Sequence, residues 1–301
     1  MNFALNPLQW LATDDGWLDF QKRLPLETLL REVSRLGFTA LHAEVPAGMG
    51  AAEYKEALAA AGISPAPGYL SAPLDNVHER DAIVARAASL AETHRELGLT
   101  EMFVAASMGP EAPRVAKPAV GAYADEARLA EIARTLELVG QETSKHGVTA
   151  CLHQHVGTWI ETEDEYEWLL ERLDPEQIAL GPDSGHLSWA GIDPCELVRR
   201  HRDRVRAAHL KDIRFDIARS TRRTDATYKQ VVAQGLWAEP GLGDLDLDDF
   251  LASLPERFAG WIVIEVDKPS LPTPEESIVA CARWVASIGP AAAPAGNLER
   301  A

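Results

Sequence analysis

Side chains able to bind a metal or move a proton gather in five short stretches of this 301-residue chain. They are Glu44 in "ALHAEVP", His153 and His155 in "TACLHQH", and Asp183 and His186 in "IALGPDSGH". His209, Lys211 and Asp212 follow in "RAAHLKDI", and Glu265 and Asp267 in "GWIVIEVD". Alternation along a strand points His153 and His155 to the same side. Taken singly, each residue has an ordinary reading. A strand-end His is more often a hydrogen-bonded structural group than a ligand, and an Asp after a strand often caps the next helix, as Asp212 and Asp267 are placed to do. Taken together, these groups would repel one another and lose hydration unless a cation offset them. A divalent metal does so. Mixed imidazole and carboxylate ligation suits Mn²⁺, Co²⁺, Fe²⁺ or Zn²⁺ better than Mg²⁺, which prefers oxygen. The spacing forms no tight motif of the HExxH kind. His42, His78, His94, His146 and His201 fall within strands or helices or near helix ends and read as structural.

The elements that would bring these residues together are eight apolar runs of strand length: 2–10, 40–46, 64–70, 101–107, 149–155, 178–184, 206–213 and 260–267. Amphipathic segments alternate with them. "LPLETLLREVSRLG" repeats apolar residues at Leu26, Leu29, Leu30, Val33 and Leu36 before a Gly stop, and "TEDEYEWLLERL" opens with Thr162 three residues before Glu165. "DEARLAEIARTLELVGQETSKHG", "DPCELVRRHRDRV", "DLDDFLASL" and "TPEESIVACARWVAS" each begin on an Asp or Thr suited to an N-cap. Eight strand–helix alternations predict an α/β fold, a single (β/α)8 TIM barrel over 1–288 with a tail over 289–301. A doubly wound open sheet would usually carry a Gly-rich turn after its first strand, and "NPLQWLATDDG" is no such turn. In a barrel, chemistry sits at the C-terminal ends of the strands, where five of the eight runs carry ionisable residues. Segments 109–122 and 214–243 are too long for plain connections and read as functional lids or as disorder on that same face.

Composition narrows the function classes. The chain is 46% hydrophobic and 25% charged, as expected for a soluble globular protein with a large core. Its net charge of −17 argues against nucleic acid as a partner. Three widely spaced cysteines form no CxxC pair or disulfide framework, so reduced thiols in the cytoplasm are expected. The N-terminus lacks a basic segment followed by a continuous apolar one, so no signal peptide is expected, and no run is apolar enough to span a membrane.

Several motifs carry a family resemblance over essentially the whole chain. "PDSGHLSWAGIDP", "HLKD" and "GWIVIEVD" resemble the xylose isomerase-like TIM barrels, which include sugar epimerases, isomerases and dehydratases. "NPLQWLATDD", "HQHVGTWIET" and "GLGDLDLDDF" resemble more narrowly the inosose (2-keto-myo-inositol) dehydratase branch. The resemblance implies a metal held by residues from strands five to eight, with Asp183, His209 and Glu265 at three of the ligand positions. The family's fifth-strand Glu is absent, and His153 stands in its place. Mn²⁺ or Co²⁺ is the expected ion, with Zn²⁺ or Fe²⁺ as alternatives. The implied substrate is a keto-inositol or keto-sugar, and a homo-oligomer is possible. A chain without the fifth-strand Glu cannot exchange protons symmetrically between two Glu residues, which favours loss of water over epimerisation or isomerisation. The expected roles follow. Glu265 or a fifth-strand His removes the α-proton, His155 or His186 protonates the departing hydroxyl, and Lys211 supplies positive charge to the enediolate oxygen. Trp10, Asp14, Asp15 and Glu44 are the expected substrate contacts.

Overall fold

The computed structural model describes residues 1–288, so the tail expected over 289–301 lies outside the described residues. Its strands are β1 (Asn2–Asn6), β2 (Ala40–His42), β3 (Ser64–Ala66), β4 (Tyr69–Ala72), β5 (Glu101–Ala106), β6 (Thr149–Leu152), β7 (Ile178–Leu180), β8 (Ala207–Leu210), β9 (Asp212–Ile213), β10 (Trp237–Ala238) and β11 (Trp261–Glu265). One parallel sheet has the order β3-β2-β1-β11-β8, and a second runs β4-β5-β6-β7. The sheets meet at both ends. The chain passes from β3 directly into β4, and parallel bridges Leu180–Val205 and Asp183–His209 join the β7 side to the β8 side. With β3 and β4 as two halves of one barrel strand, the eight expected runs form a (β/α)8 TIM barrel. The first and last strands pair over their full length, from Asn2 opposite Trp261 to Asn6 opposite Glu265.

Several runs depart from the expected strands: the run at 2–10 is a strand only to Asn6, and that at 206–213 divides into β8 and β9, of which β9 pairs with β10 in a separate sheet. The run at 64–70 splits because Pro67 has no N–H to give to a ladder and Gly68 donates its own to His94 Nε2 at 2.8 Å. A Cβ on Gly68 would lie 2.4 Å from the Ala43 carbonyl oxygen, so only glycine allows this close crossing. The run at 178–184 stops as a strand at Leu180. Asp183 is instead the N-cap of the helix Ser184–Ala190, its side chain accepting from the His186 N–H at 2.8 Å. The N-caps read from the sequence at Asp125, Thr162, Asp193, Asp246 and Thr273 are all made, and Thr162 with Glu165 forms a reciprocal capping box.

Small side chains fill much of the barrel lumen. Ala4, Ala40 and Ala66 pack together, and Phe103 packs with Cys151, Ala179, Ala207 and Val263. Phe103 needs the room, since a Cβ on Gly181 would come within 2.7 Å of its ring. The larger apolar core lies between the strands and the helices. The three cysteines are free and buried. No helix among the described residues is long and apolar enough to cross a membrane.

Both long segments expected to be lids or disorder are folded and tied down. In the first, buried Arg114 donates to the Ala122 carbonyl at 2.7 Å and the Thr158 carbonyl at 3.0 Å, and makes a two-pronged ion pair with Glu165. Glu161 beside it accepts from the N–H groups of Ala119, Gly121 and Gly157. In the second, Asp212 is no helix cap. Its carboxylate accepts four backbone N–H groups, those of Ile213, Gly241, Gly243 and Leu245, at 2.9–3.1 Å. That cradle holds the "GLGDLD" turn, where a Cβ on Gly243 would strike the carboxylate at 2.2 Å.

Candidate active site

The strand ends bring the residues expected to ligate a metal side by side. His153 follows β6, and its N–H is held by the Val104 carbonyl at 2.8 Å. Its Nε2 lies 4.0 Å from Asp183 Oδ2, and His209 Nδ1 lies 4.0 Å from the same oxygen. One donor atom from each of the three residues falls within 4.8 Å of the others. Glu265, at the end of β11, places Oε2 2.9 Å from His209 Nδ1 and accepts from Asn6 Nδ2 at 2.9 Å. Phe103 closes the site from below, its ring 4.2 Å from that of His209.

These donors have almost nothing to bond to. Asp183 Oδ2, His153 Nδ1 and both ring nitrogens of His209 are buried without a hydrogen-bond partner, the short approach of His209 to Glu265 being out of line. A buried polar atom left unpaired costs several kcal/mol on an apolar-transfer scale, about 2–7. A cation held between Asp183 Oδ2 and His209 Nδ1 would relieve two of these atoms, and His153 faces the same point with Nε2 rather than with its unpaired Nδ1. Burial drives the Asp183 pKa up, against the pull of Lys211 and His209, and drives that of His153 well down. Two imidazoles and a carboxyl group suit a borderline divalent ion, so the residues present fit a metal.

A second cluster adjoins the first. Lys211 is buried, and its Nζ lies 2.7 Å from Asp267 Oδ1, 2.8 Å from Glu265 Oε1 and 3.2 Å from His186 Nε2. Burial alone would lower its pKa, but Asp267, Glu265 and Asp183 outweigh it and hold the ammonium charged. Glu265 is pushed up by burial and pulled further down by Lys211 and His209, so it stays ionised. The His155 and His186 rings lie with centroids 3.6 Å apart and planes tilted by 38°. Burial, helped by the Lys211 charge, lowers the His155 pKa to about 3, so its ring is neutral. His155 Nδ1 lies 2.7 Å from the Val156 carbonyl oxygen and must donate to it, which leaves Nε2 without a proton.

Above these groups opens a cavity of about 1220 Å³. His153, His155, His209, Glu265 and Asp267 line its polar end, and Trp10, Trp17, Tyr69 and Tyr228 line its walls. Trp10 is fixed by its Nε1–H, which donates to Glu275 at 2.9 Å. Glu44 also lines the cavity, at its exposed rim, where it pairs with Arg23. Asp14 and Asp15 are not brought to it. Both are exposed, and Asp15 accepts from Lys229 at 3.1 Å, which ties the N-terminal loop to the helix carrying Tyr228. His186 and Lys211 stand behind the lining. Sequence reasoning missed Asn6, Tyr69, His42 and Tyr228. His42 reads as structural in the sequence, yet it lines the cavity with its ring 6.3 Å from that of His209. The one available signal for Tyr228 was its place in the overlong segment 214–243.

Known proteins share this architecture. A family model described as xylose isomerase-like TIM barrel matches residues 30–288. The rhizopine catabolism protein MocC of Rhizobium meliloti is 30% identical over 278 residues, covering 89% of this chain and 82% of its own. The inosose dehydratase of Geobacillus thermodenitrificans is 30% identical over 152 residues, half of this chain and 51% of that protein. Among solved structures, the IolI protein with a bound zinc atom superposes with a TM-score of 0.66 at 16% identity, covering 96% of this chain and 98% of its own.

Proposed function

The chain belongs to the family of xylose isomerase-like TIM barrels, and on that premise we propose that it removes water from a keto-polyol, a keto-inositol or a close keto-sugar. The observation that carries this reading is the convergence of one ligand atom each from His153, Asp183 and His209, those of Asp183 and His209 without a hydrogen-bond partner, at the floor of a cavity with aromatic walls. The names of the relatives, an inosose dehydratase among them, point the same way. Three buried free thiols fit the cytoplasm as its compartment.

His153, Asp183 and His209 would hold the divalent ion, with Glu265 beside them; the ion supplies Lewis-acid polarisation of the substrate carbonyl, which acidifies the neighbouring C–H. Glu265 stays anionic and, held by Asn6 and Lys211, has a fixed direction from which to accept a substrate hydroxyl proton as a hydrogen bond. Nε2 of neutral His155 takes the α-proton. The electron pair left on carbon forms the new double bond as the β C–O bond breaks, and the hydroxyl leaves with the proton that His155 returns. Water is the sole by-product, and His155 is restored. One imidazole thus acts first as base and then as acid, the division of labour expected where no second Glu faces the substrate. Trp10 and Tyr228 pack against the C–H faces of the ring and exclude bulk water.

Incubation with keto-inositol and Mn²⁺, Co²⁺ or Zn²⁺ tests the reading. Elimination gives a hydroxy-enone, the enol form of a 1,2-diketone, and a growing near-ultraviolet band. Consumption of substrate with no such band, and with an epimer or isomer recovered, would replace it with the isomerase reading.

A further inference from the structure

The Lys211 ammonium occupies a position that the surrounding atoms equip for a metal. His155, His186 and Asp267 each offer a donor atom within 4.8 Å of the others, a set separate from His153, Asp183 and His209. Lys211 Nζ stands against this set, 3.2 Å from His186 Nε2 and 2.7 Å from Asp267 Oδ1. Glu265 faces both clusters. Its Oε2 lies 2.9 Å from His209 of the first, and its Oε1 lies 2.8 Å from the ammonium. Asp183 Oδ2, the orphaned oxygen of the first set, is 3.8 Å from Nζ. This is the layout of two adjacent cation sites sharing a bridging carboxylate, with one of the two cations supplied by the chain.

We infer that Lys211 is a built-in replacement for a second metal ion, which restricts the site to one divalent ion and keeps His155 and His186 out of metal coordination. This rests on the first cluster holding an ion, as proposed above. Glu265 and Asp267 accept from Nζ, His186 Nε2 lies 3.2 Å from it, and the residue is 1% exposed. The side chain stands behind the cavity lining and is shut off from a substrate oxygen. It acts as a positioning residue, fixing the two carboxylates and leaving His155 Nε2 free to move a proton. Without the ammonium, Glu265, Asp267 and Asp183 would repel one another across a buried space, and a divalent ion is the species that best relieves this.

The test is metal stoichiometry. Wild-type protein, Lys211→Ala, Lys211→Gln and Lys211→Ala/His155→Ala are each loaded with Zn²⁺, dialysed and analysed for metal per chain. The expected values are about one, two, two and one. Melting temperature should also rise more with added Zn²⁺ in the Lys211 variants than in the wild type. His155→Ala alone should leave the count at one, and this variant keeps the ammonium in place whatever becomes of the Lys211 variants. A folded Lys211 variant that binds only what the wild type binds overturns the inference. So does a wild type that holds two ions, or a His155→Ala protein that loses its one ion. A wild type that binds none defeats the metal reading of the first cluster instead.

Discussion

Two buried polar clusters sit within one loop layer of each other at the barrel mouth, and they are built on opposite rules. Arg114, Glu161 and Glu165 satisfy one another and the backbone almost completely, with guanidinium donors on two carbonyls and a carboxylate and three backbone N–H groups on Glu161. His153, Asp183 and His209 are as deeply buried, yet they leave four polar atoms without hydrogen bonds. The first cluster fixes segment 109–122 to the loop after β6. Apart from the helix cap made by Asp183 Oδ1, the second displays little that stabilises the fold, which fits residues kept for what they bind. Burial and charge alone do not separate a structural network from a functional one. The convergence of ligand atoms within reach of one ion does.

Substitutions should split the two clusters by what they damage. Asp183→Asn keeps the oxygen that caps Ser184–Ala190 but removes the charge, and kcat/KM should fall by about 10³, the several kcal/mol a Lewis acid supplies. The metal-free stability of that variant should shift by less than about 1 kcal/mol in a denaturant titration, because no satisfied pair is broken. Arg114→Ala should reverse the pattern. It strands Glu165 and Glu161 in the interior and should cost about 3–5 kcal/mol of stability, while the metal affinity of protein that remains folded is retained. Equal losses of stability and activity in both variants would erase the distinction between the clusters.

Asp212 belongs with the satisfied group. Removing its four backbone bonds by Asp212→Ala should cost about 1–3 kcal/mol, read as a lower denaturant midpoint, with metal content unchanged. His94 gives the most pH-specific effect. Its Nε2 accepts the Gly68 N–H, and burial lowers its pKa to about 4. The native state therefore binds this proton less readily than the unfolded chain, whose His titrates near 6.5. The stability His94 contributes is complete above pH 6.5 and is lost as pH falls toward 4, at up to about 1.4 kcal/mol per pH unit. The stability difference between wild type and His94→Gln should shrink over that window, and a difference independent of pH would contradict the assignment.

Much of this was legible in the sequence, for reasons that vary by residue. The barrel followed from eight apolar runs spaced by capped amphipathic segments, because periodicity and caps are local properties. The positions of Asp183, His209 and Glu265 followed in turn, because strand ends converge in a barrel whatever their separation along the chain. Contacts set by tertiary approach were hidden. Asp14 and Asp15 sit beside Trp10 in the sequence, but a pair with Lys229 holds Asp15 at the surface. Lys211 looked like a free cation, and only the fold surrounds it with Glu265, Asp267 and His186. The break at Pro67–Gly68 was written in the residue types, whereas the Gly68 partner, His94, lies 26 residues away.

The central claim is that His153, Asp183 and His209 together hold one divalent ion. Titrating chelator-stripped protein with Co²⁺ and following its visible absorption tests this most directly. The account predicts a d–d band that saturates at about one ion per chain and disappears in His153→Ala and His209→Ala proteins whose thermal unfolding is unchanged. A wild type with no such band, or variants that bind Co²⁺ as the wild type does, would contradict it.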